Sequence, residues 1–392
     1  MNPSNFFEVL DGFDYDGERQ KFVKNIDMLK AMSVQEHTLY KKWQECKYSQ
    51  SRLDSSVNTA FDIWRPRDIY DIVATIKEIE ELNPIVVEAS NELYSEHWMN
   101  LRTYTSSFAF DMSPGRFLKF LLIDANTEKY LGTISIASDV PDLYVRDQHI
   151  GWGKKDKYGN GRLRCTCIGS SIIPTQPFGY NFIGGKLTAA VLSTKIFRDV
   201  WKREYDDTLV GVTTTSLYGM SSMYNAIPYW KTLGESSGKI FIKPDLDVYD
   251  VWHHWYQEHY PIEYKKMITP KEGVGGPPTG LKQKILYAIF KQLNLNPQDY
   301  THGYKRGVFF LPMYENTKEF LNSKISEDQL QMKERVKLDM QGVLDWWKPK
   351  AIKRYESLHQ QNKLRPETLY YNKISFMTWE ECKSMYLPQV GR

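Results

Sequence analysis

Between Asn160 and Lys239 the chain carries a strand-like run, a glycine-bearing turn, a helical run, a second strand-like run and another turn. This order limits the available folds more than any other feature. Leu163 to Ile173 is rich in β-branched and sulfur-bearing residues and stops at Pro174, the pattern of a buried strand closed by a breaker. The turn that follows holds Asn181, Ile183, Gly184, Gly185 and Lys186, and leads into Leu187, Ala190, Val191, Leu192, Ile196, Val200 and Trp201 at helical spacing. Paired glycines at a helix start let the backbone approach a ligand, and free N–H groups there favour an anion. Leu209 to Thr215 reads as the second strand. It runs into a turn, Leu217 to Asn225, that is expected to begin another short helix.

A chain of 392 residues has room for about two to three domains. With 41% hydrophobic and 14% aromatic residues it reads as well packed rather than disordered. Its 26 Tyr and 11 Trp also offer flat faces for stacking bases, although half-buried packing is the better reading for any single one. The four cysteines, Cys46, Cys165, Cys167 and Cys382, make no disulfide frame, and Cys165 and Cys167 are expected to alternate onto one face of a strand. No apolar run is long enough to span a bilayer and the N-terminus carries no signal-peptide pattern, so a reduced, cytoplasmic protein is expected. Net charge is +3, but from Lys243 onward there are 23 basic and 18 acidic residues, a mild asymmetry of the kind a polyanion-binding end shows.

In chain order, residues 1–84 read as helical, with Phe22, Ile26, Leu29 and Met32 on one face and Ile72, Ile76, Ile79 and Leu82 on another. Lys41 to Arg52 is basic and aromatic, and a solvated helix face is its simpler reading. Asn83-Pro84 closes this region. Glu92 to Met99 reads as a helix. Phe117 to Asp124 and Tyr130 to Ala137 read as a β-hairpin. Arg146, Asp147 and His149 then place a cation, a carboxylate and an imidazole within four positions, which suits either deprotonation of an amine or a structural Arg–Asp pair. A basic glycine-bearing loop with Lys154, Lys155, Lys157 and Arg162 follows, fit for phosphate contact or for a solvated hairpin tip.

Beyond the second strand, Val248 to Tyr260 holds His253, His254 and His259 among aromatics at helical spacing, so a packing helix outweighs a metal box and no metal site is expected. Pro270 to Gly280 is the clearest linker. After it come an amphipathic helix with Lys282 and Lys284, a basic turn with Lys305 and Arg306 entering a strand, and a charged helix expected over Glu327 to Trp347. Together these have the composition of a nucleic-acid backbone surface. The resulting division is a helical region 1–84, a core 85–244, a helix and linker 245–280, and a basic accessory region 281–392.

The core resembles GNAT-type N-acyltransferases in its order of elements, and Ala226-Ile-Pro-Tyr-Trp230-Lys-Thr-Leu-Gly234 is similar to their Tyr/Trp-x-x-x-Gly element. Met223 stands where those enzymes often carry Asn. Arg146 to Trp152, Gly184 to Leu187, Thr214 to Gly219 and Ser222 to Asn225 together resemble the DruA-type family of the Druantia antiphage systems. A more distant likeness is to the Mom-type DNA-modification transferase of phage Mu. The resemblance covers about Pro84 to Pro244. It implies an α/β (α+β) fold with a GNAT-like mixed sheet core, and transfer of an acyl or aminoacyl-type group to an amine, most plausibly on a DNA base.

On that basis Asn181, Ile183, Gly184, Gly185, Lys186 and Leu187 would hold acyl coenzyme A or another phosphate-bearing activated donor. Asp147 or His149 would be the base beside Arg146. Tyr224, Ser221 or Ser222 would donate the leaving-group proton, and His97, beside Trp98, would line the acceptor side across the cleft. The alternative is a non-catalytic DNA-binding protein of antiphage defence or counter-defence on the same scaffold, and an ordinary acetyltransferase is a third reading.

Overall fold

The expected hairpin lies inside a seven-stranded sheet seen in a computed structural model, which describes residues 13–48, 62–110, 115–216, 219–220, 222–269, 280–333, 339–366 and 377–389. Strands β1 (Pro84–Glu88), β2 (Phe117–Asp124), β3 (Lys129–Ser138) and β4 (Thr166–Pro174) form an antiparallel run with register shifts at Leu122/Ile123 and Ser135/Ile136. β3, buried from Tyr130 to Ala137, is covered on both faces, whereas β1 at the sheet edge is mostly half-buried. β5 (Gly211–Ser216) lies parallel to β4, which requires a crossover. The segments Phe178–Asn181, Gly184–Ala190 and Lys195–Tyr205 supply it. β6 (Lys231–Phe241) and β7 (Thr301–Pro312) complete the order β1-β2-β3-β4-β5-β7-β6, with β7 antiparallel to β5.

The β4–β5 junction is short. Only Thr166↔Gly211, Cys167↔Val212 and Ile168↔Thr213 pair, after which β4 continues beside β3 to Pro174 and β5 beside β7 to Ser216. The sheet therefore forks after Ile168 and Thr213.

Side-chain alternation sends Val212, Phe309 and Leu311 into the main core with the crossover helices, whose Leu187, Val191, Leu192, Phe197 and Trp201 are fully buried. Val210 and Phe310 join a second cluster with Ile150 and Trp152, and Leu121, Ile123 and Tyr130 a third with Trp98 of the Glu92–Thr105 helix. Asn91 caps that helix by accepting from the Tyr94 amide at 2.8 Å.

Several elements differ from the sequence reading. Cys165 falls in a 3₁₀ turn before β4 rather than in the strand, so Cys165 and Cys167 enter different cores instead of sharing a face. The crossover helix is not continuous, because Thr194 is extended (φ −71°, ψ 157°) between Val191–Ser193 and Lys195–Tyr205. No helix lies between β5 and β6 among the described residues; Ser222 to Trp230 are turns that lead straight into β6. Pro349 does not end the late charged helix. That helix runs from Met340 to Gln360 with Pro349 inside it, and Glu327–Gln329 is only a short 3₁₀ turn. The linker, apart from its last residue Gly280, lies outside the described residues.

The chain forms two units, one of Met1–His37 with Gly238–Tyr304, the other of Thr38–Ser237 with Lys305–Arg392. The helix expected to open the accessory region, Leu281–Gln292, thus belongs with the N-terminal residues rather than with Met340–Gln360. In the smaller unit Phe22 packs edge-on against Trp252 and Phe290 at 6.1 and 5.4 Å, and Asn25 and Asp245 exchange hydrogen bonds of 2.8 and 3.0 Å. In the larger unit Trp347 and Tyr355 of Met340–Gln360 are fully buried in the main core.

Candidate functional site at the sheet fork

On the crossover side of the fork, Thr214 of β5 donates to the Gly169 carbonyl of β4 at 3.0 Å. This places a side-chain bond where the backbone ladder has stopped. The Tyr224 hydroxyl shares a hydrogen bond with Thr214, and burial pushes its pKa up to about 12. Its ring lies 5.1 Å from Trp230 and 5.0 Å from Phe309. A tyrosine so placed keeps its proton at neutral pH and has it available to donate.

The glycine turn lies beside this segment. Ile183 takes a left-handed conformation (φ 47°) to enter the Gly184–Ala190 helix, a costly shape for a β-branched residue, and Trp347 donates to its carbonyl at 3.3 Å. A Cβ on Gly184 would stand 2.3 Å from the Phe178 ring, and one on Gly185 would stand 2.8 Å from the Met223 sulfur. Both positions are therefore approached by the chain's own side chains, from beneath by buried Phe178 and from the outer side by half-buried Met223. Lys186 donates to the Asn225 carbonyl at 2.7 Å; burial, then nearby Lys350, lowers its pKa. Asn181 exchanges hydrogen bonds with the backbone of Arg365 at 2.8 and 3.0 Å, and Leu187 is fully buried. Asn225 caps the turn by accepting from Ser222 at 2.6 Å, while Ser221 lies outside the described residues.

The opposite face holds a connected set of charges. The Arg146 guanidinium, fully buried, lies 2.8 Å from Asp139 and 2.7 Å from Asp147. Asp139 accepts from Thr213 at 2.9 Å, at the last β4–β5 pair, and Thr166 also bonds it. Burial pushes the Asp139 carboxyl up, opposed by Arg146 and these hydroxyls. Asp147 also accepts from Trp152 at 2.9 Å and Lys157 at 2.9 Å. Burial alone would raise its pKa, but Trp152, Lys157 and Arg146 outweigh burial and hold it below the usual carboxylate range. Lys157 continues the chain to Asp142 at 2.7 Å. Asp147 is thus surrounded by donors, the setting of a structural carboxylate rather than of a strong base.

His149 is half-buried with Nε2 unbonded, its ring 6.0 Å from Phe310; burial, then Lys318 and Lys231, lowers its pKa and keeps it neutral. His97 stands apart, its Nδ1 2.5 Å from the hydroxyl of Tyr130 on β3, while Trp98 beside it donates to the Ile134 carbonyl from the core.

The fork gathers Gly184, Gly185, Lys186, Ser222 and Tyr224 on one face and Arg146 and Asp147 on the other, but leaves His97 two strands from β5. The basic residues are dispersed. Lys154 and Lys155 are exposed, Lys157 is buried in the charge network, and Arg162 lies 4.0 Å over the Phe320 ring. Lys305 pairs with Glu235 at 3.6 Å and Arg306 reaches Thr215 at 3.4 Å. In the smaller unit Lys282 lies 4.7 Å over the Tyr249 ring, and Lys284 is exposed. Sequence reasoning did not single out Asp139 or Thr213 as site residues.

The fold and site define an α/β protein with a forked mixed sheet and a buried ionic network across its parallel junction. The chain belongs to the DruA family: the model described as Druantia protein DruA matches residues 36–323. It is 24% identical over 327 residues to Druantia protein DruA of Escherichia coli (strain UMEA 4076-1), covering 76% of this chain and 77% of that relative. No solved structure matches it. No helix among the described residues is long and apolar enough to cross a membrane.

Proposed function

We propose that the chain is a GNAT-like transferase of antiphage defence that moves an acyl or aminoacyl-type group to an amine on a DNA base. The observation that carries this reading is the fork, where a parallel pair parts after three residue pairs and Thr214, just past the last pair, meets Tyr224. In this reading the parting between β4 and β5 would receive a slender activated chain. Tyr224, at the fork and protonated, is the proton donor for the leaving group. The network from Asp139 to Lys157 ties β4 to β5 at the junction, so Arg146 and Asp147 act here as positioning residues, and His149, whose Nε2 has no hydrogen-bond partner, is the candidate base of that segment.

A base in duplex DNA would have to leave the stack before reaching the site, at a cost of a few kcal/mol. Exposed Lys154 and Lys155 are suitable for holding the backbone during that step. The second reading, a DNA-binding scaffold without catalysis, is favoured by one observation: Met223 covers Gly185, and with it the approach to the turn.

Mass spectrometry of nucleosides from cells expressing the wild type beside Tyr224→Phe separates the two. A new nucleoside in the wild type that is lost or at least about tenfold reduced in the variant is expected. No new nucleoside in either, with salt-dependent DNA binding intact, would leave the scaffold reading standing.

A further inference from the structure

The Met340–Gln360 helix brings to the glycine turn a group of cations that lies beyond the segment matched by the DruA family model. Its buried Trp347 donates to the Ile183 carbonyl at 3.3 Å and packs 5.4 Å from Phe178, while Tyr355 stacks on Phe182 at 5.5 Å. The helix is therefore fixed against the turn on both sides of Lys350 and Arg354, which lie one turn apart on a shared face. The Arg354 guanidinium stands 5.4 Å from the Tyr180 ring, and its Nε is buried without a hydrogen-bond partner. Arg365 stands 4.3 Å from the same ring, held by the backbone exchange with Asn181. Lys350 is exposed, anchored to the Trp346 carbonyl at 3.1 Å and close enough to Lys186 to repel its charge. No salt bridge to a carboxylate is made by Lys186, Lys350, Arg354 or Arg365 among the described residues.

Lys186 and Lys350 lie close enough to repel each other and Arg354 and Arg365 share the Tyr180 ring, with no carboxylate paired to any of the four among the described residues. Such an arrangement is stabilised by a polyvalent anion, and guanidinium groups fit phosphate in a forked, two-bond geometry. We propose that Lys186, Lys350, Arg354 and Arg365 form a phosphate-binding lip at the glycine turn, which grips the diphosphate of a small activated donor. The side chains of this lip take over a task that the turn's own amides, crowded by Phe178 and Met223, are poorly placed to perform. Both Tyr180-facing guanidiniums lie over the ring, so stacking of a base there is not the expected mode, and a compact diphosphate fits better than a polynucleotide. Assigning the anion to a donor rests on the transferase reading, whereas the lip itself does not.

The test is calorimetric titration of the full chain with inorganic pyrophosphate, for the wild type, the Arg354→Gln/Arg365→Gln double variant, Lys350→Gln, and Lys265→Gln/Lys266→Gln as a charge-matched control in the smaller unit. The wild type and control are expected to bind alike. Affinity should fall about tenfold or more in the lip variants, whose retained fold is checked by circular dichroism. A wild type that does not bind pyrophosphate, or lip variants that bind as well as the wild type, overturns the lip. A parallel titration with a duplex oligonucleotide distinguishes the occupant: variants that lose duplex binding but keep pyrophosphate binding overturn the small-donor assignment. Pyrophosphate binding that depends on the lip, in a protein that yields no new nucleoside, would sustain the lip and reject the transferase reading.

Discussion

Gly184 and Gly185 are neighbours in sequence but lack side chains for different reasons. Phe178, against Gly184, is fully buried between Trp64 at 5.7 Å and Trp347 at 5.4 Å and has nowhere to move. Met223, against Gly185, is half-buried and flexible. Gly184→Ala should therefore cost about 1–3 kcal/mol in urea unfolding, and Gly185→Ala less than about 1 kcal/mol. Equal costs would mean that the turn is not packed as described. The pairing of glycines was legible in the sequence, but its cause was not, because Phe178 and Met223 are brought together only by the crossover.

Arg146 is the second case at this scale. Arg146→Met leaves Asp139 buried without its ion partner and should cost about 3–5 kcal/mol in the same measurement. Asp147 has a folded pKa below its unfolded value of about 3.9, so between the two values the unfolded chain binds more protons. Its contribution is complete above the unfolded value and is lost as pH falls through the folded one. Thermal unfolding from pH 7 downward should show that acid loss in the wild type and a shallower slope in Asp147→Asn. The sequence placed Arg146 and Asp147 together and left open a catalytic or a structural pair. It could not show Lys157 and Trp152 closing on the same carboxylate from ten and five residues away.

At the scale of elements, local patterns carried furthest where the chain pairs with its neighbour. The hairpin Phe117–Asp124 and Lys129–Ser138 was readable because alternation and a short polar turn settle it locally. The β4–β5 fork was not readable from pairing, since it depends on where β3 and β7 draw the two strands apart. Thr214→Val removes the Gly169 and Tyr224 hydrogen bonds at the parting point and should cost about 1–3 kcal/mol, measured by denaturant unfolding. The late helix was misjudged because a proline usually marks a stop. Here Trp347, Ala351, Tyr355 and Leu358 bury one face across Pro349, and that packing carries the helix past the missing N–H. Pro349→Ala restores the donor and should stabilise the protein by about 1–3 kcal/mol, read from the urea midpoint. A loss of stability would mean that the proline ring itself contributes packing that the helix requires.

At the scale of the whole molecule, the chain belongs to the DruA family, while the antiphage role and the chemistry are our proposal. The family match covers the fork, the glycine turn and the ionic network, but ends before Met340–Gln360, the helix that carries Lys350 and Arg354. Three of the four lip cations, Lys350, Arg354 and Arg365, therefore lie outside the segment that the family model matches, and only Lys186 falls within a motif that carried the resemblance. The most direct measurement is intact-mass spectrometry of a duplex oligonucleotide incubated with the purified protein and a small-molecule extract of the bacterial host. The account predicts a discrete mass gain on one strand that Tyr224→Phe abolishes. An unchanged mass with wild-type protein that still binds the duplex would contradict it.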